Sequence, residues 1–462
     1  MPVRGLVLTI RTIRLIRRIR PMGWRRAGGM LVAALCLTAA TALAAPRFPQ
    51  PEFDSGHIVP TPTQPLPPSA VPDWIALAVL AAALALTSYF AVRNRSRKGI
   101  FAVMMFSLVY FGFMRQGCIC PVGSLQNVVQ ALFDPRAAVP LTVLGFFLLP
   151  LVTALFFGRT FCAGVCFLGA LQDLVICRPV NVPVWLVRCL GMIAWFYLGA
   201  VVLFAATGSG FLACRLDPFV SLVRQSGTPT ILALGACFLA LGAFVARPYC
   251  RFACPYGVLL GWLSHLARRH TAITPDECDQ CRLCENACPF SAIRKPAQAQ
   301  NSEPRRVSAR RLGLVLALLP VLIFAGEWAG ARLGAAQASA NRYVQLTEHL
   351  AAENADRTVE ATLASQAFRA SGRSVADLDA QVADLRAKFA RFGMWIGAVF
   401  GLAFGAQLIR LSVPGRNKDY EPDRGLCLSC GRCFSYCPRE QLRRRQGQSI
   451  TEAKPRGGPE VL

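Results

Sequence analysis

The sequence predicts an all-α polytopic membrane protein of about seven transmembrane helices, with a small cysteine-rich module on one side built from two separated segments. Three observations lead there. Hydrophobic residues make up 54% of the chain, above the ~45–50% usual in globular domains, and they gather into spans of about 20 residues, enough to cross a ~30 Å hydrocarbon core. A C-x2-C-x2-C-x3-C-P run occurs twice, at Cys278, Cys281, Cys284, Cys288 and at Cys427, Cys430, Cys433, Cys437. A second cysteine pattern recurs through the apolar region before the first run.

Residues 1–45 read as a signal peptide or N-terminal anchor. They are Arg-rich, then apolar from Met30 to Ala42, with Ala42-Leu43-Ala44 as an A-x-A cleavage site. Met22 opens a compact signal peptide of its own; an uncleaved anchor is the alternative. Residues 46–73 are Pro-rich, cannot pack a core and read as an extracytoplasmic linker.

Hydrophobic spans follow at 74–92, 100–114, 140–157, 186–206, 228–246, 312–331 and 392–411. Arg93, Arg95, Arg97 and Lys98 assign the first connection to the cytoplasm. Alternation then puts 158–185, 247–311 and 412–462 inside, and 115–139, 207–227 and 332–391 outside. The first four units form a membrane domain over 74–270. The first cysteine run belongs to 271–300 and the second to 412–462. Segment 332–391 has mixed charge and helical spacing (Leu346, Leu350; Leu378, Val382, Leu385), which predicts a helical hairpin. The two runs share a side only if an even number of crossings separates them, and two spans do.

The formal charge of +25 suggests nucleic acid, but the basic residues flank the spans, where they set topology. No nucleic-acid partner is expected. With 19 cysteines, thiols facing a reducing cytoplasm are free to bind metal.

The x2, x2, x3 spacing followed by Pro289 or Pro438 is the one with which bacterial ferredoxins hold 4Fe–4S clusters. Three close thiolates grip one cube and the fourth crosses to the other. The expected sets are Cys278, Cys281, Cys284 with Cys437, and Cys427, Cys430, Cys433 with Cys288. Thiolates are soft ligands suited to such clusters. Tetrahedral zinc is the competing occupant, and the regular spacing favours the cube.

The second pattern is a repeat. Cys120-Pro-Val-Gly-Ser-Leu-Gln matches Cys166-Phe-Leu-Gly-Ala-Leu-Gln and Cys254-Pro-Tyr-Gly-Val-Leu-Leu, with Cys214-Arg-Leu-Asp-Pro-Phe-Val as a weaker member. Each unit reads as a span, a Cys-bearing turn and a short amphipathic helix. Consecutive units cross in opposite directions, so Cys118, Cys120 and Cys214 fall outside and Cys162, Cys166, Cys250 and Cys254 inside. Inverted repeats commonly carry a functional site at their interface. Gly123, Gly169 and Gly257 suit a tight turn or close helix approach.

Four inner cysteines can hold a further membrane-embedded redox centre, act as dithiols, or pack as small hydrophobes; the repetition favours a redox or metal role. For Cys118, Cys120 and Cys214 an outer redox site and a structural disulfide stand level, though C-x-C is too short for an easy bridge. Cys36, Cys177, Cys189 and Cys237 stand alone in apolar sequence and read as packing. His57, His265, His270 and His349 lack partners at ligand spacing, and no C-x-x-C-H offers covalent haem attachment. No catalytic nucleophile and base are found.

From Phe157 to Pro289 the chain resembles the membrane polyferredoxins of the NapH/NosR type. The residues are Gly158-Arg159-Thr160-Phe161-Cys162-x3-Cys166, Asp217-Pro218-Phe219-Val220, Cys250-x3-Cys254-Pro255 and the first ferredoxin run. The resemblance implies a multi-pass electron-transfer protein of the bacterial inner membrane with two cytoplasmic 4Fe–4S clusters. It would be an electron carrier or oxidoreductase subunit rather than a stand-alone enzyme. Its implied partners are a quinone-linked or cytoplasmic donor and an extracytoplasmic reductase or flavoprotein. Phe167 replaces the Pro after the first C-x3-C pair, a leading Cys118-Ile119-Cys120-Pro121 unit is added, and no flavin domain precedes the first span. A maturation factor that reduces a respiratory metalloenzyme, or loads metal into it, is the alternative. A transporter with redox-sensing clusters is a third reading, against which stands the lack of charges within the spans.

Overall fold

A computed structural model describes residues 71–117, 120–135, 137–180, 182–224, 226–274, 278–296, 305–355, 360–412 and 419–446. The leader, nearly all of the linker, Cys36, His57 and Cys118 lie outside these residues. Helices account for most of the described chain, as a bilayer demands, since backbone polar groups in hydrocarbon must be satisfied internally.

Helix α1 (Val71–Ser88) continues through a π-helical turn to Arg93. Helix α2 (Arg97–Ser107) continues as π-helix to Met114, and the Ser96 hydroxyl caps it by accepting from the Gly99 N–H at 3.2 Å. Then come α3 (Pro121–Phe133), α4 (Leu141–Phe157), α5 (Thr160–Gly164), α6 (Phe167–Leu174), α7 (Val184–Ala206), α8 (Leu212–Leu216), α9 (Pro218–Arg224), α10 (Pro229–Gly242), α11 (Pro248–Phe252) and α12 (Pro255–Ser264). Helix α13 (Leu283–Ala287) and strand β1 (Ile293–Arg294) belong to the first cysteine run. Next are α14 (Arg305–Gln337), α15 (Arg342–Ala355), α16 (Leu363–Ala370) and α17 (Val375–Ser412). Strand β2 (Glu421–Pro422), α18 (Arg432–Ser435) and α19 (Pro438–Arg445) complete the second run.

Among the described residues, five helices are long and apolar enough to cross a membrane: Val71–Arg93, Arg97–Met114, Trp185–Ala206, Ala309–Ala340 and Val375–Arg410. The other two expected spans fall short. Leu141–Phe157 form a helix of 17 residues, about 25 Å long at 1.5 Å per residue. Helix α10 has 14 residues and reaches spanning length only with α9, from which it bends by 108°. Hydropathy alone counts apolar residues without seeing where a Pro or Gly breaks the helix.

Helices α14 and α17 run antiparallel with their backbones almost touching. A Cβ at Gly326, Gly330 or Gly334 would strike the carbonyl of Gly397, Gly393 or Phe389 respectively. Small residues every fourth position let membrane helices approach this closely. Gly397→Leu is therefore expected to force the pair apart, at a cost on the order of 1–3 kcal/mol or more, read as a lower thermal midpoint of the purified protein. Beyond this seam the expected hairpin is a larger cap: α15, α16 and the start of α17 bury Val344, Leu350, Phe368, Leu378 and Val382 together.

Contacts sort the connections into two sets. The turn after α1, the α4–α5 turn and the end of α12 all touch the ferredoxin segments through Arg95, Arg97, Arg159 and Ser264. On the opposite set, Arg224 Nε donates to the Gln116 carbonyl at 2.9 Å and Asn341 Nδ2 to the Ser209 hydroxyl at 2.7 Å.

Candidate metal centres

The two cysteine runs fold as one unit. β1 pairs with β2 in an antiparallel ribbon, Ile293 opposite Pro422 and Arg294 opposite Glu421. The Asp423 N–H extends the ribbon to the Ala292 carbonyl at 2.7 Å, and its carboxylate pairs with Arg294 at 2.7 Å. In each run the second and fourth residues after the first cysteine are left-handed: Gln280 and Arg282 at φ 48° and 58°, Ser429 and Gly431 at 53° and 75°. These reversals wrap the chain around a point. Cys278, Cys281, Cys284 and Cys437 line one cavity, and Cys288, Cys427, Cys430 and Cys433 line another. Each cavity thus takes three thiols from one run and one from the other.

The donor set fits an iron–sulfur cluster. Each cavity gathers four thiols, the donor set of a 4Fe–4S cube, and among the described residues no three His, Cys, Asp or Glu groups are placed to hold a single ion. Burial pushes the Cys427 thiol up to about 12 and Cys284 to about 11. Ligation must therefore displace thiol protons.

Beneath the ferredoxin unit, Cys162, Cys166, Cys250 and Cys254 line a third cavity, and Cys120 joins them in its wall. The units that deliver them are built alike. Cys162 and Cys250 are each the third residue of a five-residue helix (α5, α11). Cys166 and Cys254 sit extended at the N-caps of α6 and α12, at φ/ψ −69/111° and −71/114°. Gly169 and Gly257 lie three residues on, and each admits the other unit's arginine. A Cβ there would lie 3.0 Å from Arg247 Nη1 and 3.2 Å from Arg159 Nη2.

Arg159 and Arg247 precede Cys162 and Cys250 by three residues, a spacing visible in the sequence whose role depends on contacts between units. Arg247 is fully buried. It donates to the Cys162 carbonyl, and its Nε lies 3.4 Å from Asp173, which also meets Arg432 at 3.3 Å. Arg159 reaches the Gly425 carbonyl at 3.1 Å and lies 4.0 Å from Cys162 Sγ. Gln172 Nε2 donates to Cys250 Sγ at 3.2 Å while its Oε1 accepts from the Tyr249 N–H at 3.1 Å. Buried charges do occur here, then, in the connections between spans.

Further arginines pin the ferredoxin unit to the membrane domain. Arg97 donates to the Cys430 carbonyl at 3.0 Å and Arg251 to that of Phe290 at 2.9 Å. Arg95 donates to the Ile273 carbonyl at 2.6 Å and meets Glu440 at 3.3 Å. Burial works against the Glu440 carboxylate, but Arg443, Arg95 and Arg444 outweigh it and hold the group below its ordinary 4.5. A lowered carboxylate stabilises fully above its unfolded value and stops doing so as pH falls through the folded one. Protection of the α19 amides, measured against the intrinsic exchange rate at each pH, is accordingly expected to be full at neutral pH and to fall below pH 4.5.

The third unit corrects the sequence alignment. Cys214 is the third residue of five-residue α8, so it matches Cys162 and Cys250, not Cys166. Asp217 takes the extended N-cap place, at φ/ψ −74/109°. No residue separates α8 from its cap, whereas Val165 and Ala253 do so in the second and fourth units. Cys177, Cys189 and Cys237 are exposed on the protein's surface rather than packed inside it. His265 faces Arg410 at 2.8 Å and His349 faces Glu353 at 3.6 Å.

Comparison with known proteins places these sites in context. A 4Fe-4S binding domain family matches residues 117–140, 139–179 and 228–273, and another 4Fe-4S binding domain matches 271–294. The regulatory protein NosR of Stutzerimonas stutzeri is 24% identical over 250 residues, half of this chain and 34% of that protein. The putative electron transport protein YccM of Escherichia coli is 25% identical over 195 residues, 37% of this chain and 52% of its own length. The chain is similar to 4Fe–4S membrane electron-transfer proteins of the NosR/NapH type. It is also 27% identical, over 201 residues, to an uncharacterized protein of Methanocaldococcus jannaschii, covering 39% of itself and 77% of that relative. It spans about a third of NosR and half of YccM. No solved structure matches it.

Proposed function

We propose that the chain holds two 4Fe–4S clusters on the cytoplasmic side of a bacterial inner membrane, and a third redox metal centre at Cys162, Cys166, Cys250 and Cys254. It passes electrons between a cytoplasmic or quinone-linked donor and an extracytoplasmic reductase or flavoprotein. The single observation that carries this reading is the crossed arrangement of thiols in two cavities, joined to a third by Arg159, which touches both the Cys162 side chain and the Gly425 carbonyl. The clusters supply one-electron redox chemistry when bound.

The chain's own residues exclude water and supply counter-charge. Leu428, Phe290 and Phe434 are buried around the second run, while Arg95, Arg97, Arg159 and Arg247 point donors at the cavities' walls. Hydrogen bonds and burial are the levers that set such potentials. The arginines flanking α1 and α2 support a cytoplasmic position for the ferredoxin unit by the positive-inside rule. Iron and sulfide analysis of the anaerobically purified protein, with EPR on reduction, tests the reading. More than about eight irons per chain is expected, since each cube carries four; fewer than eight, or no signal, rejects it.

A further inference from the structure

The two ferredoxin cavities are unequally placed for exchange with a soluble partner. The second lies against the membrane domain. The Cys430 carbonyl accepts from Arg97 at 3.0 Å, and the Gly425 carbonyl, two residues before Cys427, accepts from Arg159 at 3.1 Å. Arg432 on its wall meets Asp173 at 3.3 Å, and its Cys288, Leu428 and Ser429 are buried. The first cavity has an open rim: Cys281 is exposed, and so are Asp279, Arg282 and Arg439 beside it. Electrons that pass between the ferredoxin unit and a soluble protein have their shortest route through the first cavity.

Three large apolar side chains stand exposed at that rim, Leu283, Tyr436 and Leu442. Leu283 and Tyr436 directly precede two thiols of the first cavity, Cys284 and Cys437. Helix α13, which begins with Leu283, packs against α18, which Tyr436 ends. Leu442 lies one turn along α19 from Pro438, itself part of the cavity wall. None of the three belongs to a spanning helix, so lipid does not explain their exposure.

The charge around them is lopsided. Arg439 and Arg445 flank Leu442 three residues away on either side, on one face of α19. Glu440 is shared by Arg95 at 3.3 Å, Arg443 at 2.8 Å and Arg444 at 3.0 Å. Asp279 pairs with Arg439 at 2.7 Å and Glu285 with Lys295 at 2.9 Å. These carboxylates are thus matched by cations, and the exposed Arg282 and Arg445 give the face a positive surplus. A small apolar centre in a charged rim suits a weak electron-transfer encounter, which buries less than about 1,200 Å² and relies on charge to orient it.

We propose that this face, Leu283, Tyr436 and Leu442 rimmed by Arg282, Arg439 and Arg445, docks a small acidic carrier protein of the flavodoxin or ferredoxin class. The reduced carrier gives one electron to the oxidised first cluster and leaves oxidised; no bond is made or broken. This specifies the soluble partner of the function proposed above and rests on that reading.

The test uses the full-length protein, purified anaerobically with its iron, and two acidic probes: a flavodoxin hydroquinone and a reduced 2Fe–2S ferredoxin. Stopped-flow bleaching of the cluster absorbance reads transfer, and thermophoresis reads binding. The wild-type rate is expected to fall steeply with salt, as steered association does. Leu442→Ser and Arg445→Glu are each expected to slow transfer about tenfold and to weaken binding. Reduction by dithionite, which needs no docking face, should match wild type and shows that the variants keep their clusters. Salt-independent transfer from both probes, or wild-type transfer in both variants, overturns the proposal, as does equally tight binding of cationic cytochrome c. Absence of any iron–sulfur spectrum rejects the function proposed above and leaves binding to decide the surface. Binding of the probes that both variants weaken upholds the docking face, and binding that neither variant alters overturns it.

Discussion

Alanine at Cys437 is expected to abolish the iron–sulfur signal of the first run while all three of that run's close cysteines remain. Cys437 lies in the second run, yet it lines the cavity of Cys278, Cys281 and Cys284. Cys288 does the reverse for Cys427, Cys430 and Cys433. Loss of about four irons per chain is the expected result, one cube's content. The surviving EPR signal should be that of the second cavity, whose ligands are intact. Cys288→Ala should produce the complementary loss. If Cys437→Ala instead removes the second run's signal, each run holds its own cube and the crossed arrangement is wrong. The β1–β2 ribbon and the Arg294–Asp423 pair keep the halves together in the variant, so its defect should be local.

The second large effect is at Asp173. Its side chain is 5% exposed and stands between Arg247, fully buried, and Arg432. Asp173→Ala leaves the Arg247 guanidinium buried beside the cysteine cavity with no counter-charge. Breaking such a pair typically costs about 3–5 kcal/mol, because an uncompensated charge remains in a poorly solvated site. A large fall in thermal midpoint is expected, with iron lost from the membrane domain because Arg247 also holds the Cys162 carbonyl. The double variant Asp173→Ala/Arg247→Met removes the orphaned charge and should recover much of the stability. A variant as stable as wild type at Asp173→Ala would show that water reaches Arg247.

Much of this was legible in the sequence, for a physical reason. Ligand spacing is local, so Cys278 to Cys288 and Cys427 to Cys437 announce themselves within a dozen residues each. Hydropathy likewise gave the five long helices, because a span is a contiguous property. What escaped was non-local. Gln172 and Arg247 gain meaning only when a unit some 80 residues away folds against them, and nothing near either residue says so. Asp217 was misaligned because its unit lacks one residue before the cap, which slides a match made on apolar spacing. The 140–157 and 228–246 segments look like spans in the sequence because composition does not register where a helix ends. The four-residue glycine spacing of α14 and α17 was visible but says little until both helices are known to be neighbours.

The β1–β2 ribbon has a consequence in time. Its strands, and the thiols that cross between the runs, are separated in the chain by α14, α15, α16 and α17. A ribosome adding about 5–20 residues per second needs about 7–28 s to go from Cys288 to Cys427. Throughout that interval the first cavity has three of its thiols, lacks Cys437, and β1 has no strand to lie against. The α14–α17 pair must enter the bilayer and return before either site can close. Assembly is thus ordered by the chain itself: membrane insertion comes first, and any apparatus that delivers iron to the proposed clusters meets a complete receptor only after the second run has been made.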